Sequence, residues 1–147
     1  MSLHGTYDPQ NIFAQIIKGD APCYKLYEDD DVLAFLDLFP QSYGHTLVIP
    51  KNAPARNMLD VDADELCKVM RVVQKLTGVL VEELLPDGVQ VAQFNGAPAG
   101  QTVFHIHVHI VPRFAGERLG IHAAEKGDPQ VLEALQARLV KRIEALG

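Results

Sequence analysis

Residues 62–85 repeat apolar side chains at the spacing of one helix face: Leu66, Val69, Met70, Val73, Leu76, Leu80 and Leu84, stopped by Pro86. Asp62 with Glu65 three residues on has the capping-box spacing of a helix start. A helix draws most of its stability from packing its apolar face on another layer. With one apolar stripe, this helix calls for a sheet beneath it.

Short segments supply that layer. Residues 24–28 and 32–37 read as strands around the acidic turn Asp29-Asp30. Residues 45–49 form a third strand between the turn run PQSYG and Pro50. Two more strands, 89–94 and 103–111, follow the long helix. A short helical pattern opens at Asp8-Pro9, puts Ile12, Phe13, Ile16 and Ile17 on one side, and closes at Gly19. A last helix starts at Asp128-Pro129 and buries Val131, Leu132, Leu135, Leu139, Ile143 and Leu146. The expected fold is α+β: about five antiparallel strands, with the long helix and a C-terminal helix packed on the sheet. Residues 1–10 read as a flexible tail and residues 11–147 as one domain.

Charge and composition exclude several function classes. A net charge of −6 argues against nucleic-acid partners, which demand a basic footprint. No apolar run approaches the roughly 18 residues of a membrane span. The start, MSLHGTYDPQ, has neither the basic region nor the apolar core of a signal peptide. Cys23 and Cys67 stand far apart with no motif around them, which fits a reducing, cytoplasmic setting.

Chemistry concentrates in FHIHVHIVPR, residues 104–113, where His105, His107 and His109 account for three of the six histidines. On a strand these three share one face, about 7 Å per step. Ile106, Val108 and Ile110 then face the core under the long helix. The residues leave three readings: a metal cluster, a polar strand face, or a catalytic row. Zinc holds imidazole nitrogen at about 2.0–2.1 Å. The outer two histidines start about 13–14 Å apart along a straight strand, so one ion does not easily gather all three. Imidazole, with a pKa of about 6.5, serves near neutrality as nucleophile, base or acid. Just upstream, NGAPAGQTV is rich in small residues and offers Gly96, Gly100, Gln101 and Thr102. Such a loop lets backbone N–H groups approach phosphate oxygens, although an ordinary hairpin has the same composition.

The run HIHVHIV resembles the signature of the histidine triad family. The similarity extends to NIFAQIIKGDAP, AFLDLFPQSYGHTLVIPK and AGQTV, together residues 11–114, and leaves the C-terminal helix outside. The resemblance implies a helix-covered antiparallel sheet that dimerises into one continuous sheet. It also implies a nucleotide hydrolase or transferase that cleaves at the α-phosphate through a covalent nucleotidyl-histidine. Carried over, His107 is the nucleophile and needs an acceptor at Nδ1–H, for which a backbone carbonyl of the same strand serves. His109 contacts the α-phosphate, and His105 and His45 complete the polar network. Thr102 and Gln101 meet the phosphate or leaving group, with Thr102 as proton relay, and Asn95 lies near the phosphates. Asp37 takes the ribose hydroxyls. Ile12, Phe13, Ile16, Phe35 and Leu38 line the base pocket, with Ile16 reading equally as plain core. Arg113 reads equally as a surface charge or a second phosphate anchor.

Departures matter too. Some bacterial members hold a structural zinc through a C-x-x-C pair near the N-terminus and further histidines. Here that pair's place reads Asn11-Ile12-Phe13-Ala14, and Ala53 stands where the family has a histidine. The expectation is no structural zinc and no cofactor, with a purine nucleotide as ligand and a homodimer as assembly. The front of the chain looks like the adenosine phosphoramidase (Hint-type) branch, whereas AGQTV and VPR also look like the dinucleoside polyphosphate hydrolases. The segment GERLGIHAAEKGD matches neither tail well, and reads either as placing Arg118 or His122 over the site or as a plain loop.

Overall fold

The computed structural model describes residues 2–118 and 125–146. Among them, five strands form one antiparallel sheet: β1 (Tyr24–Glu28), β2 (Val32–Leu36), β3 (Thr46–Pro50), β4 (Gly88–Ala92) and β5 (Val108–Arg113). Their spatial order is β1-β2-β3-β5-β4, so the histidine-bearing β5 sits inside the sheet between β3 and β4. The helices are α1 (Ile12–Lys18), α2 (Ala63–Leu84) and α3 (Pro129–Ala145).

Strand alternation divides the molecule into two layers. Val32, Ala34 and Leu36 of β2, Val48 of β3 and Val108 and Ile110 of β5 point to one face. There they pack with Val69, Val73, Leu76 and Leu80 of α2 and Leu132, Leu135, Leu139 and Ile143 of α3. The other face carries Leu33, Phe35, Leu47 and Ile49, capped by Phe13 of α1. His109 pairs with Leu47 across β5 and β3, which places it on this second face. One side of the sheet thus builds the core, and the other is left to α1 and the histidines.

Local chemistry explains the ends of the elements. Asn11, not Asp8, caps α1: its side chain accepts the Ala14 N–H at 2.9 Å. Gly19 closes that helix at φ 84°, a left-handed position that costs glycine no steric penalty. Asp62 is the N-cap of α2 but its side chain makes no capping hydrogen bond, so the expected capping box does not form. Leu85 takes the left-handed conformation after α2, and Pro86 cannot continue a helix. Asp128 caps α3 by accepting the Gln130 N–H at 2.9 Å, with Pro129 at the first helical position. Three residues expected in the core are exposed: Met70 on α2, Val131 on α3, and Leu146 just after α3.

The largest correction concerns the histidine strand. The alternation predicts strand over 103–111, but β5 begins at Val108. Its register with β3 pairs Val48 with Val108, so Pro50 would face residue 106. Pro50 has no N–H to continue the ladder. The Ile106 N–H instead donates to the Ala55 carbonyl at 2.9 Å. His105 and His107 therefore lie just outside the sheet, on a segment that peels away from it.

Within residues 1–10, expected as a flexible tail, Ser2 and Leu3 meet residues 56, 57 and 97. Arg56 donates to the Ser2 carbonyl at 2.8 Å, and Asn57 donates to the Leu3 carbonyl at 2.8 Å. The Ala97 N–H donates to Ser2 Oγ at 2.7 Å. No helix among the described residues is long and apolar enough to cross a membrane.

Candidate functional site

A cavity of about 280 Å³ opens on the second face of the sheet. Ile12, Phe13, Ile16, Phe35 and Leu38 line it, together with Asp37, Thr102, His107 and His109. These come from α1, the end of β2 with the residues after it, the segment 102–107, and β5, so the topology gathers them from four parts of the chain. Phe13 is central. It packs edge-on against Phe35 at 5.4 Å between ring centroids and against His107 at 5.0 Å.

Hydrogen bonds fix which nitrogen of each ring carries the proton. His107 Nδ1 lies 2.7 Å from the His105 carbonyl. A carbonyl only accepts, so Nδ1 carries the proton and the lone pair sits on Nε2. His45 Nδ1 accepts the Gln41 N–H at 3.0 Å, which puts its proton on Nε2. That Nε2 is 2.9 Å from His109 Nδ1, which must accept, leaving His109 with an Nε2–H donor. A basic lone pair on His107 and a donor on His109 thus stand side by side, with ring centroids 4.9 Å apart. Phe94, half-buried, packs at 5.0 Å against His109.

His105 faces away from the cavity. Its Nε2–H donates to the Pro50 carbonyl at 3.0 Å, and its Nδ1 accepts the Tyr7 hydroxyl at 2.7 Å. Burial pushes its pKa down to about 4, partly offset by the Pro50 carbonyl, so it is neutral near pH 7. Cys23, also on the cavity wall, has its thiol pushed up by burial and stays protonated.

Asp37 closes the far end. Its Oδ1 accepts the Phe39 N–H at 2.8 Å, and its Oδ2 lies 3.5 Å from His45 Nε2. Asp37, His45 and His109 are all buried and offer ligand atoms within 4.8 Å of one another, a spacing a metal ion could bridge. The proton placement opposes it: the Gln41 N–H at Nδ1 keeps the His45 proton on Nε2, where an ion would need a lone pair. His45 and His109 are instead arranged as a hydrogen-bonded pair with the Asp37 carboxylate beside it.

Other expected site residues lie elsewhere. Gln101 is buried with both ends of its amide committed: it accepts the Gly96 N–H at 2.8 Å and donates to the Arg56 and Val103 carbonyls at 2.6 and 3.1 Å. Asn95 accepts the Met58 N–H at 2.8 Å and a Gln93 amide N–H at 2.9 Å. Both shape the loop and neither lines the cavity. Arg113 donates to Gln90 at 3.1 Å and Arg118 is exposed, both off the cavity wall. His122 lies outside the described residues.

Several contributors carry no sequence signal. The role of Gln41 is played by its backbone N–H, which any residue but proline offers. Ala21, Pro22, Cys23, Phe39, Leu47 and Val103 also line the cavity. Tyr7 touches the row from 98 positions away.

Comparison with known proteins places this arrangement. A model of the HIT domain matches residues 18–116. The crystal structure of a Hit-like protein from Bartonella henselae superposes with a TM-score of 0.87 at 41% identity, covering 94% of this chain and 99% of that one. A hypothetical histidine triad nucleotide-binding protein from Sulfolobus tokodaii superposes with a TM-score of 0.82 at 34% identity, covering 91% and 92%. The adenylylsulfatase HINT3 of Arabidopsis thaliana is 39% identical over 103 residues, 69% of this chain and 51% of that protein. Matched through its sheet and across the whole histidine row, the chain belongs to the histidine triad (HIT) family.

Proposed function

We propose that this protein hydrolyses a purine nucleotide derivative of the adenosine phosphoramidate type at its α-phosphate, through a covalent nucleotidyl-histidine on His107. The observation that carries this reading is the 2.7 Å contact from His107 Nδ1 to the His105 carbonyl, because it puts the proton on Nδ1 and the nucleophilic lone pair on Nε2. The apolar cavity walls, Phe13 and Phe35 among them, suit a base, and the Asp37 carboxylate suits the ribose hydroxyls.

The chemistry runs in two displacements. The His107 Nε2 lone pair forms a bond to phosphorus while the bond to the leaving group breaks. The leaving group takes a proton relayed by the Thr102 hydroxyl. The His109 Nε2–H steadies the negative charge that builds on the phosphate oxygens. Water then attacks the phosphohistidine, His107 departs with its lone pair restored, and the proton given up by water replaces the one spent. The product is a nucleoside monophosphate. Side chains suffice for each step, without a cofactor.

A second reading, a dinucleoside polyphosphate hydrolase, uses the same attack with a nucleotide as leaving group. The name of the adenylylsulfatase HINT3 adds a sulfate-bearing leaving group to the possibilities. A third, a nucleotide-binding regulatory module, predicts binding without turnover. The protein acts as a cytoplasmic homodimer; β4, an edge strand with Val91 exposed, supports a joined sheet.

A panel of phosphoramidates, dinucleoside polyphosphates and adenylyl sulfate, with product analysis, ranks the substrates. Mass spectrometry of quenched single turnovers should show one nucleotidyl group on His107. Full activity in His107→Ala would overturn the mechanism, and nucleotide binding with no adduct would favour the regulatory module.

A further inference from the structure

We infer that Tyr7, in the segment before α1, is a positioning residue for the nucleophile: through the ring of His105 it holds the backbone carbonyl that orients His107. This rests on His107 being the nucleophile.

The carbonyl that accepts the His107 proton belongs to the peptide between His105 and Ile106. That peptide lies outside β5, so no strand ladder holds it. Its position depends on a few discrete attachments. On one side, its own N–H donates to the Ala55 carbonyl at 2.9 Å. On the other, the His105 side chain is pinned at both ring nitrogens, by the Pro50 carbonyl at 3.0 Å and the Tyr7 hydroxyl at 2.7 Å. The Pro50 carbonyl cannot donate, so it fixes the His105 proton on Nε2 and obliges Tyr7 to be the donor to Nδ1. The two rings also meet edge-on, with centroids 5.7 Å apart.

The segment that carries Tyr7 is itself anchored. Arg56 donates to the Ser2 and Thr6 carbonyls, and its guanidinium lies 4.7 Å over the Phe104 ring. Asn57, buried, donates to the Leu3 carbonyl. Arg56 and Asn57 directly follow Ala55, whose carbonyl holds the 105–106 peptide. One stretch, residues 55–57, therefore grips both the segment that delivers Tyr7 and the peptide that Tyr7 steadies. Tyr7 precedes the part of the chain matched by the HIT domain model, residues 18–116.

The test is Tyr7→Phe, which keeps the ring and removes the donor. We expect kcat to fall by about 10- to 100-fold from a misplaced nucleophile, with KM unchanged. Nitrogen-15 NMR of the histidine rings gives a readout that loss of stability alone would not move. In the wild type His107 should be the Nδ1–H tautomer; in Tyr7→Phe it should become a mixture with Nε2–H. Fluorotyrosine at position 7 retains the hydroxyl, and its more acidic proton should shift the His105 Nδ1 resonance while the fold is kept. Unchanged kcat with an unchanged His107 tautomer in Tyr7→Phe, or no response of His105 to fluorotyrosine, overturns the inference. If the wild type forms no adduct on His107, the proposed function fails, and the tautomer measurement still judges Tyr7.

Discussion

His45 and His109, 64 positions apart in sequence, meet at 2.9 Å, Nε2 to Nδ1, and neither is exposed. The pair transmits a proton preference. The Gln41 N–H fixes the His45 tautomer, and His45 in turn sets His109 with its donor on Nε2. Replacing His45 by alanine should let His109 adopt the other tautomer and withdraw that donor from the phosphate. The expected loss in kcat is on the order of 10- to 100-fold. Steady-state kinetics check it, and His45→Ala with wild-type kcat would remove the relay from the mechanism.

Asp37 tests the ribose assignment. Asp37→Asn keeps the shape and one acceptor but loses the charge. A hydrogen bond to a charged group contributes about 1.5–3 kcal/mol, so KM for a ribonucleotide substrate should rise by roughly 10- to 100-fold. A 2′,3′-dideoxy substrate should show the loss already in the wild type and little more in the variant. Equal penalties in both backgrounds would show that Asp37 acts elsewhere, for instance through His45, 3.5 Å away.

His105 makes stability depend on pH. Its pKa falls from 6.5 to about 4 on folding, chiefly through burial. Between those values the unfolded chain binds the proton and the native one does not. Stability therefore rises with pH through this window, is lost as pH falls from 6.5 towards 4, and is level above it. The span corresponds to about 3 kcal/mol at most. Urea unfolding at several pH values should give a shallower slope for His105→Asn than for the wild type; identical slopes would mean that His105 is protonated in the native state.

Gly44 sits at φ 92°, immediately before His45. A Cβ there would come within 2.6 Å of Leu84 Cδ1 and 3.2 Å of Pro112 Cγ. Gly44→Ala adds left-handed strain to overpacking and should destabilise the protein by about 2–4 kcal/mol. Chemical denaturation measures this directly, and a loss below half a kilocalorie would mean that the turn relaxes freely.

Periodicity specified part of the layering. The stripe on α2 and the alternation of histidine with Ile106, Val108 and Ile110 are local patterns, whereas β2 and β3 are apolar on both faces and their layers follow from pairing. The residues of the cavity wall were also legible: Ile12, Phe13, Ile16, Phe35, Leu38, Asp37, Thr102, His107 and His109 all meet there. Family resemblance named them, and strand parity made it physically reasonable that odd-numbered side chains share a face. Parity failed at His105, because it assumes a ladder. Proline at 50 ends that ladder, and the backbone turns the His105 ring towards Tyr7.

What tertiary structure decided is where the protons sit. Sequence shows that imidazoles are present, and an isolated imidazole has no strong reason to favour one nitrogen. The choice is made by the Gln41 N–H, the Pro50 and His105 carbonyls and the Tyr7 hydroxyl. Three of these are backbone groups, common to nearly every residue and so invisible in side-chain patterns, and the fourth is brought in from far along the chain. Each acts only because folding sets a single donor or acceptor within about 3 Å of a ring nitrogen and excludes the water that would otherwise compete.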